Sequence, residues 1–269
     1  MALTHLTIGA GNMGGSLLSG WLRDGLVNRR NVAILDPRPG TEAVYAIERG
    51  AKHLGSADDI PRSIKVVLLA IKPQMFADMR DTLAERLPKG ATLISIMAGI
   101  NLSDLHAAAP RCEVVRSMPN TPASIGRGIT AYVAGDDVLP DTITEAEALL
   151  GACGDVVRVE TDELINAVTA ISGSGPAYIF HLCEALASAG AAIGLPPETA
   201  DRLARQTVIG ASALLDASEN TPAALREAVT SPGGTTQAAL DVLMGEDGMA
   251  QLMRRAAKAA LDRSRELSR

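Results

Sequence analysis

The chain has 269 residues, 47% hydrophobic and only 2% aromatic, with 25 basic and 31 acidic side chains for a net charge of −6. That apolar content suffices for a buried core and argues against a disordered or fibrous protein. The acidic balance and the scarcity of stacking rings argue against nucleic acid as a partner. Cys112, Cys153 and Cys183 are scattered, as are His5, His53, His106 and His181, so no metal site is expected. No basic segment precedes an apolar one near the N-terminus, and a cytoplasmic location is expected. The most apolar stretch, Leu164 to Leu195, is broken by Asn166, His181 and Glu184 and by several glycines. It reads as buried helices rather than a membrane span.

In chain order, strands are predicted at Leu3 to Ile8, Asn31 to Leu35, Lys65 to Ile71, Thr92 to Ile96 and Glu113 to Ser117. Helices such as Met13 to Asp24, Thr41 to Arg49 and Met75 to Arg86 lie between them. Strands alternating with helices imply a mostly parallel sheet. The unbroken apolar run Val66-Val67-Leu68-Leu69-Ala70 fits a central strand covered on both faces. Ile129 to Ala134 and Asp155 to Val159 read as further strands at the far side of the sheet. From about Glu160 onward helical spacing takes over: Leu182, Leu186, Ala189 and Ile193 repeat at four, three and four, as do Ala204, Val208, Ala211 and Leu215. The division expected is residues 1–160 as a dinucleotide-binding α/β domain and 161–269 as an all-α domain. A helical unit of that size often completes its core with a second copy, so a dimer is expected.

Gly9-Ala10-Gly11-Asn12-Met13-Gly14 directly follows the first predicted strand and opens the first helix. Glycines there permit a tight turn and close approach of a pyrophosphate, and the helix N-terminus offers N–H groups to it. Asp36 ends the second strand 22 residues beyond Gly14, where a carboxylate binds a ribose 2′-OH and favours NADH. Arg38 instead suits the 2′-phosphate of NADPH, so both cofactors stay open. Ala70-Ile71-Lys72-Pro73-Gln74 and Met97-Ala98-Gly99 end two further strands, at the edge where such sheets bind ligands. Met118-Pro119-Asn120-Thr121-Pro122-Ala123 ends another, its polar groups held between two prolines. In the helical half, Ser172-Gly173-Ser174-Gly175-Pro176 is a glycine-rich break that reads either as a linker or as a close approach to a flat ring. Thr230-Ser231-Pro232-Gly233-Gly234-Thr235-Thr236 sets hydroxyls and N–H groups ahead of a helix starting near Gln237. That arrangement suits a carboxylate, although a capping turn would look the same.

With these four motifs in this order, the sequence resembles the pyrroline-5-carboxylate reductases, most specifically through Ala170 to Tyr178, Val229 to Thr236 and Val115 to Ala123. The resemblance implies a Rossmann-type domain followed by an all-α dimerisation domain, and a homodimer that often assembles into a decamer. It implies reduction of 1-pyrroline-5-carboxylate to L-proline with NADPH or NADH, in proline biosynthesis. The residues it assigns to the cofactor are Gly9, Gly11, Asn12, Met13, Gly14, Asp36, Arg38, Ala70, Lys72, Pro73, Met97, Ala98, Gly99, Asn120 and Ser174. To the substrate carboxylate it assigns the N–H groups of Gly233, Gly234 and Thr235, with Ser231. Thr236 corresponds to a threonine bonded to the ring nitrogen, and Glu219 to a glutamate near that nitrogen. Asp36 departs from the neutral or basic residue many relatives carry there.

Overall fold

The computed structural model describes residues 2–268. Eight strands form one sheet: β1 (His5–Ile8), β2 (Val32–Leu35), β3 (Lys52–His53), β4 (Val66–Leu69), β5 (Thr92–Ser95), β6 (Glu113–Met118), β7 (Gly128–Ala134) and β8 (Gly154–Arg158). Their spatial order is β3-β2-β1-β4-β5-β6-β7-β8. Every pairing is parallel except β6 with β7, which is antiparallel. The helices of this half are α1 (Asn12–Arg23), α2 (Thr41–Glu48), α3 (Phe76–Arg86), α4 (Leu102–Ala108), α5 (Pro140–Gly151) and α6 (Asp162–Val168). The predicted strands recur with each end within two residues of its predicted position; β4 stops at Leu69 because the chain then turns into Pro73, which opens a short 3-10 turn.

Alternation along the strands sorts their side chains onto two helical layers. Val66 and Leu68 join Ile34, Ile94 and Val115 under α1 and α5, where Leu17, Leu18, Trp21, Leu149 and Leu150 are buried. Val67 and Leu69 join Leu6, Ile8, Leu93 and Val114 on the opposite face, against Phe76 and Leu83 of α3 and Leu105 of α4. A parallel sheet needs this double cover, since crossover helices lie on both of its faces. Trp21 is fully buried, and its indole N–H donates to the Leu149 carbonyl at 2.7 Å, so α1 and α5 share a polar tie inside an apolar layer. The sheet order reverses between β1 and β4, and that reversal opens a crevice at the carboxyl ends of these strands.

By compactness the chain divides into one unit running to Gly173 and resuming at Ala260, and a second from Ser174 to Ala259. The first unit thus extends past the boundary at 160. Ile165 of α6 is wholly buried with Met118, Ala131 and Val133, which keeps α6 on the sheet. The stretch Ser172 to Pro176, predicted as a glycine-rich break, straddles the end of a π-helical turn, Thr169–Gly173, and the start of the next helix. The second unit holds α7 (Gly175–Ala192), α8 (Pro197–Asp216), α9 (Pro222–Ala228), α10 (Thr235–Leu243) and most of α11 (Met249–Leu267). Small residues let α7 and α8 meet closely: a Cβ on Gly190 would sit 3.1 Å from that of Ala200. The expectation that Leu164 to Leu195 forms buried helices holds at Ile165, Asn166 and Ala170 and is not met in α7 within one chain. α7 has no buried residue, and Leu182, Leu186 and Ile193 are exposed because the hairpin has no third layer over that face. Among the described residues no helix is long and apolar enough to cross a membrane.

Candidate functional site

The turn after β1 has the geometry its glycines imply. Gly9 adopts φ +84°, and a Cβ there would lie 2.6 Å from the Ala70 carbonyl carbon. A Cβ on Gly14 would run into the Gly9 carbonyl oxygen and approach the Ala70 Cβ to 2.9 Å. Around Gly11, by contrast, a Cβ would meet nothing within 4 Å. Gly9 and Gly14 are therefore packing glycines, while Gly11 leaves open space at the N-cap of α1. No side chain caps that helix, and no acidic residue lies in its first turn. Its first N–H groups, from Asn12 onward, are available to an anion.

A cavity of about 510 Å³ opens beside this turn at the carboxyl ends of β1, β2 and β4. It brings together six residues singled out from the sequence: Gly9, Gly11, Asp36, Arg38, Ala70 and Lys72. It also has walls that the sequence did not reveal, including Ser56, Met75 and Met79. Ser56 caps a short turn and forms a capping box with Asp59, a signature that marks a turn rather than a site. Asp36 is fixed by two backbone donors: Oδ2 accepts from Ala10 at 2.6 Å and Oδ1 from Arg38 at 2.7 Å. It is half-buried, whereas Arg38 is exposed. The empty space at Gly11, the uncapped helix end and the adjoining cavity fit a dinucleotide with its pyrophosphate over the turn and its adenosine ribose at Asp36.

The residues assigned to the other end of the cofactor are placed less uniformly. Lys72 is exposed, and Pro73 begins the 3-10 turn after it. The Met97 side chain is in the core at 2% exposure, leaving only its main chain for a ligand. Gly99 is buried against the Leu267 main chain, and Ala98 stays exposed. Asn120 is buried with its Oδ1 accepting from Ile129 N–H at 3.0 Å, so half of its amide serves the start of β7.

In the second unit, Ser231 to Gly234 form a tight turn. Gly233 has φ +70°, and the Gly234 N–H donates to the Ser231 carbonyl at 2.9 Å. That bond corrects one assignment: the Gly234 N–H is already engaged and does not serve a carboxylate. A Cβ at Gly234 would meet the Ser231 hydroxyl and lie 3.0 Å from the Ser231 carbonyl oxygen, so the turn is tight there. Gly234 is the N-cap of α10, again without side-chain capping and with no acid in the first turn. The orphan donors are the N–H groups of Thr235, Thr236 and Gln237, and the Thr236 side chain is half-buried beside them. Ser174 precedes α7 as its N-cap with no side-chain capping bond, and Glu219 is exposed in the turn between α8 and α9.

A Rossmann-type sheet with a glycine cradle, an acid at the end of its second strand and a helical second unit defines an NAD(P)-dependent oxidoreductase. Residues 162–267 match the family described as pyrroline-5-carboxylate reductase dimerisation. Residues 7–99 match one described as NADP oxidoreductase coenzyme F420-dependent. The chain is 38% identical to the pyrroline-5-carboxylate reductase of Pisum sativum over 97% of its length and 94% of that protein. It is 39% identical to that of Pseudomonas aeruginosa, covering 97% and 95%. The solved pyrroline-5-carboxylate reductase of Coxiella burnetii superposes with a TM-score of 0.88 at 32% identity, over 100% of both chains. The chain belongs to the pyrroline-5-carboxylate reductase family.

Proposed function

We propose that this chain reduces the C=N bond of 1-pyrroline-5-carboxylate to give L-proline, with NADH or NADPH as reductant. The observation that carries the reading is the uncapped N-terminus of α10, which has no acid in its first turn and the Ser231 and Thr236 hydroxyls in the segment around it, apart from the helix end at the glycine cradle. A dinucleotide alone accounts for the helix end at the cradle; that of α10 suits the carboxylate of a small substrate. The Thr235, Thr236 and Gln237 N–H groups hold that carboxylate, with the Gly233 N–H and the Ser231 hydroxyl beside them. The Thr236 hydroxyl orients the ring nitrogen. When bound, the reduced nicotinamide supplies the hydride, which goes to the imine carbon while the nitrogen takes a proton. Glu219 favours the cationic, protonated imine by charge attraction. Orientation is the main contribution of these residues, because aligned reactants supply a large part of a barrier reduction.

Two copies pairing through the helical unit complete this picture. Within that unit only Ala200 and Ala204 are buried in the single chain, so most of its apolar surface awaits a partner. Loss of nicotinamide absorbance on mixing the protein with 1-pyrroline-5-carboxylate and either cofactor tests the activity. No turnover with either cofactor, together with tight cofactor binding, would refute it.

A further inference from the structure

The last turn of α11 closes on the loop that follows β5. Gly99 is buried at φ +75°, and a Cβ there would come within 2.8 Å of the Leu267 carbonyl oxygen. Leu267 is held in place by a polar knot centred on Asn166 of α6, a buried residue. Asn166 Oδ1 accepts from Ser264 Oγ at 3.0 Å, and the single Ser268 hydroxyl proton is shared between that Oδ1 at 3.1 Å and the Ser264 carbonyl at 3.0 Å. Its Nδ2 donates to Glu163 Oε2 at 3.2 Å, and Glu163 Oε1 accepts from Arg265 Nε at 2.6 Å. The Arg265 contact, and then the Asn166 amide, hold the Glu163 carboxyl below its ordinary range.

The same helix fixes the far end of the loop. Asp162 Oδ2 accepts from the Leu102 N–H at 3.1 Å, while Oδ1 pairs with Arg116 Nη1 at 2.6 Å. Arg116 is 1% exposed, and its Nε and Nη2 find no acceptor among the described residues, so Asp162 is its one ionic anchor. At the near end Met97 is sunk in the core, with its N–H on Ser95 Oγ. Between these anchors Ala98 is left facing outward. Buried polar bonds add little net stability but are directional, so a knot of this composition sets position more than it adds strength.

We propose that α6 and the last turn of α11 form a clasp that positions the Met97–Gly99 loop against the nicotinamide end of the cofactor. Asn166, Ser264, Leu267 and Ser268 are positioning residues in this scheme. The inference rests on the reading that this loop borders the cofactor. ADP-ribose, which shares the adenosine and pyrophosphate but lacks the nicotinamide, supplies the control. Binding of NADH and of ADP-ribose is measured by titration calorimetry for the wild type, Ser268→Ala, Ser268→Thr and a chain ending at Glu266.

For Ser268→Ala the NADH Kd rises roughly fivefold, the scale of one lost hydrogen bond, and the shortened chain loses more. ADP-ribose affinity stays at the wild-type value in both, and Ser268→Thr, which keeps the hydroxyl, restores NADH binding. Equal weakening of both ligands would assign the knot to general stability and overturn the clasp, as would an NADH Kd unchanged in both variants. A wild type that binds ADP-ribose and NADH establishes the dinucleotide site independently. One that binds neither refutes that site and the clasp with it.

Discussion

Replacing Asp36 is the sharpest test of how this protein reads its cofactor. Its carboxylate is immobilised by the Ala10 and Arg38 N–H groups at 2.6 and 2.7 Å and lines the cavity beside the glycine turn. A 2′-phosphate charge brought to about 4 Å of it is repelled by about 4 kcal/mol at an effective dielectric constant near 20. Arg38 offsets part of this, but it is exposed, and such pairs contribute only about 0.2–1 kcal/mol. A net penalty of about 3–4 kcal/mol is expected, which corresponds to roughly a 150- to 600-fold preference for NADH in kcat/KM. Asp36→Ser removes the charge yet keeps an acceptor for the Ala10 N–H. The variant is expected to shift the ratio of kcat/KM for the two cofactors at least about tenfold toward NADPH. The assay is initial-rate kinetics with each cofactor at saturating 1-pyrroline-5-carboxylate. A ratio unchanged from wild type would show that the fixed carboxylate does not face the ribose, and the electrostatic argument would fail.

Thr236→Ala should lower kcat by about 100-fold, the scale of misplacing a reacting atom by about 1 Å, while NADH affinity stays near wild type. Unchanged turnover would remove the hydroxyl from its assigned place. Gly14→Ala drives a methyl group into the Gly9 carbonyl oxygen and toward Ala70, an overpacking that costs about 1–3 kcal/mol; NADH titration should show weaker binding, and wild-type affinity would contradict the close packing. His5 gives a pH signature: burial, and next the charge of Lys65, push its imidazole down to about 4. The fold therefore keeps His5 neutral while the unfolded chain, titrating near 6.5, takes up a proton, so stability is full above about pH 6.5 and falls as pH drops toward 4. Discounted for partial exposure, the loss is about 1–2 kcal/mol. Urea unfolding at pH 7 and pH 5 measures it, and a His5→Asn variant should flatten the difference; equal loss in both would place the effect elsewhere.

Much of the first unit was legible because its signals are local. The run Val66 to Leu69 has the unbroken apolar character that only a doubly covered strand sustains, and Gly9 to Gly14 carries a turn, a helix start and a packing contact within six residues. β3 escaped because two residues, Lys52 and His53, carry no periodicity. Ser56, Met75 and Met79 reach the cavity only after three separate strand ends are brought together. The Asn120 bond to Ile129 depends on β7 folding back antiparallel, which nothing local announces. The approach of Leu267 to Gly99 is longer-ranged still, set by where a nineteen-residue helix happens to end.

The helical unit failed differently, and for an instructive reason. Its apolar periodicity was read correctly, yet periodicity reports only that a face avoids water, not which surface covers it. Leu182, Leu186 and Leu215 keep 40% or more of their surface exposed in the single chain, as do Phe180, Leu203 and Leu214. Burying one such side chain stabilises by about 1.5–3 kcal/mol, so leaving this many in water is a large unmet term for a unit whose only buried residues are Ala200 and Ala204. Gly190 and Ala200 let α7 and α8 meet closely, and the apolar side chains beside that seam, Leu186 and Leu203 among them, have no third layer over them within the unit. A second copy presenting the same faces would cover both sets at once, as a two-fold interface does.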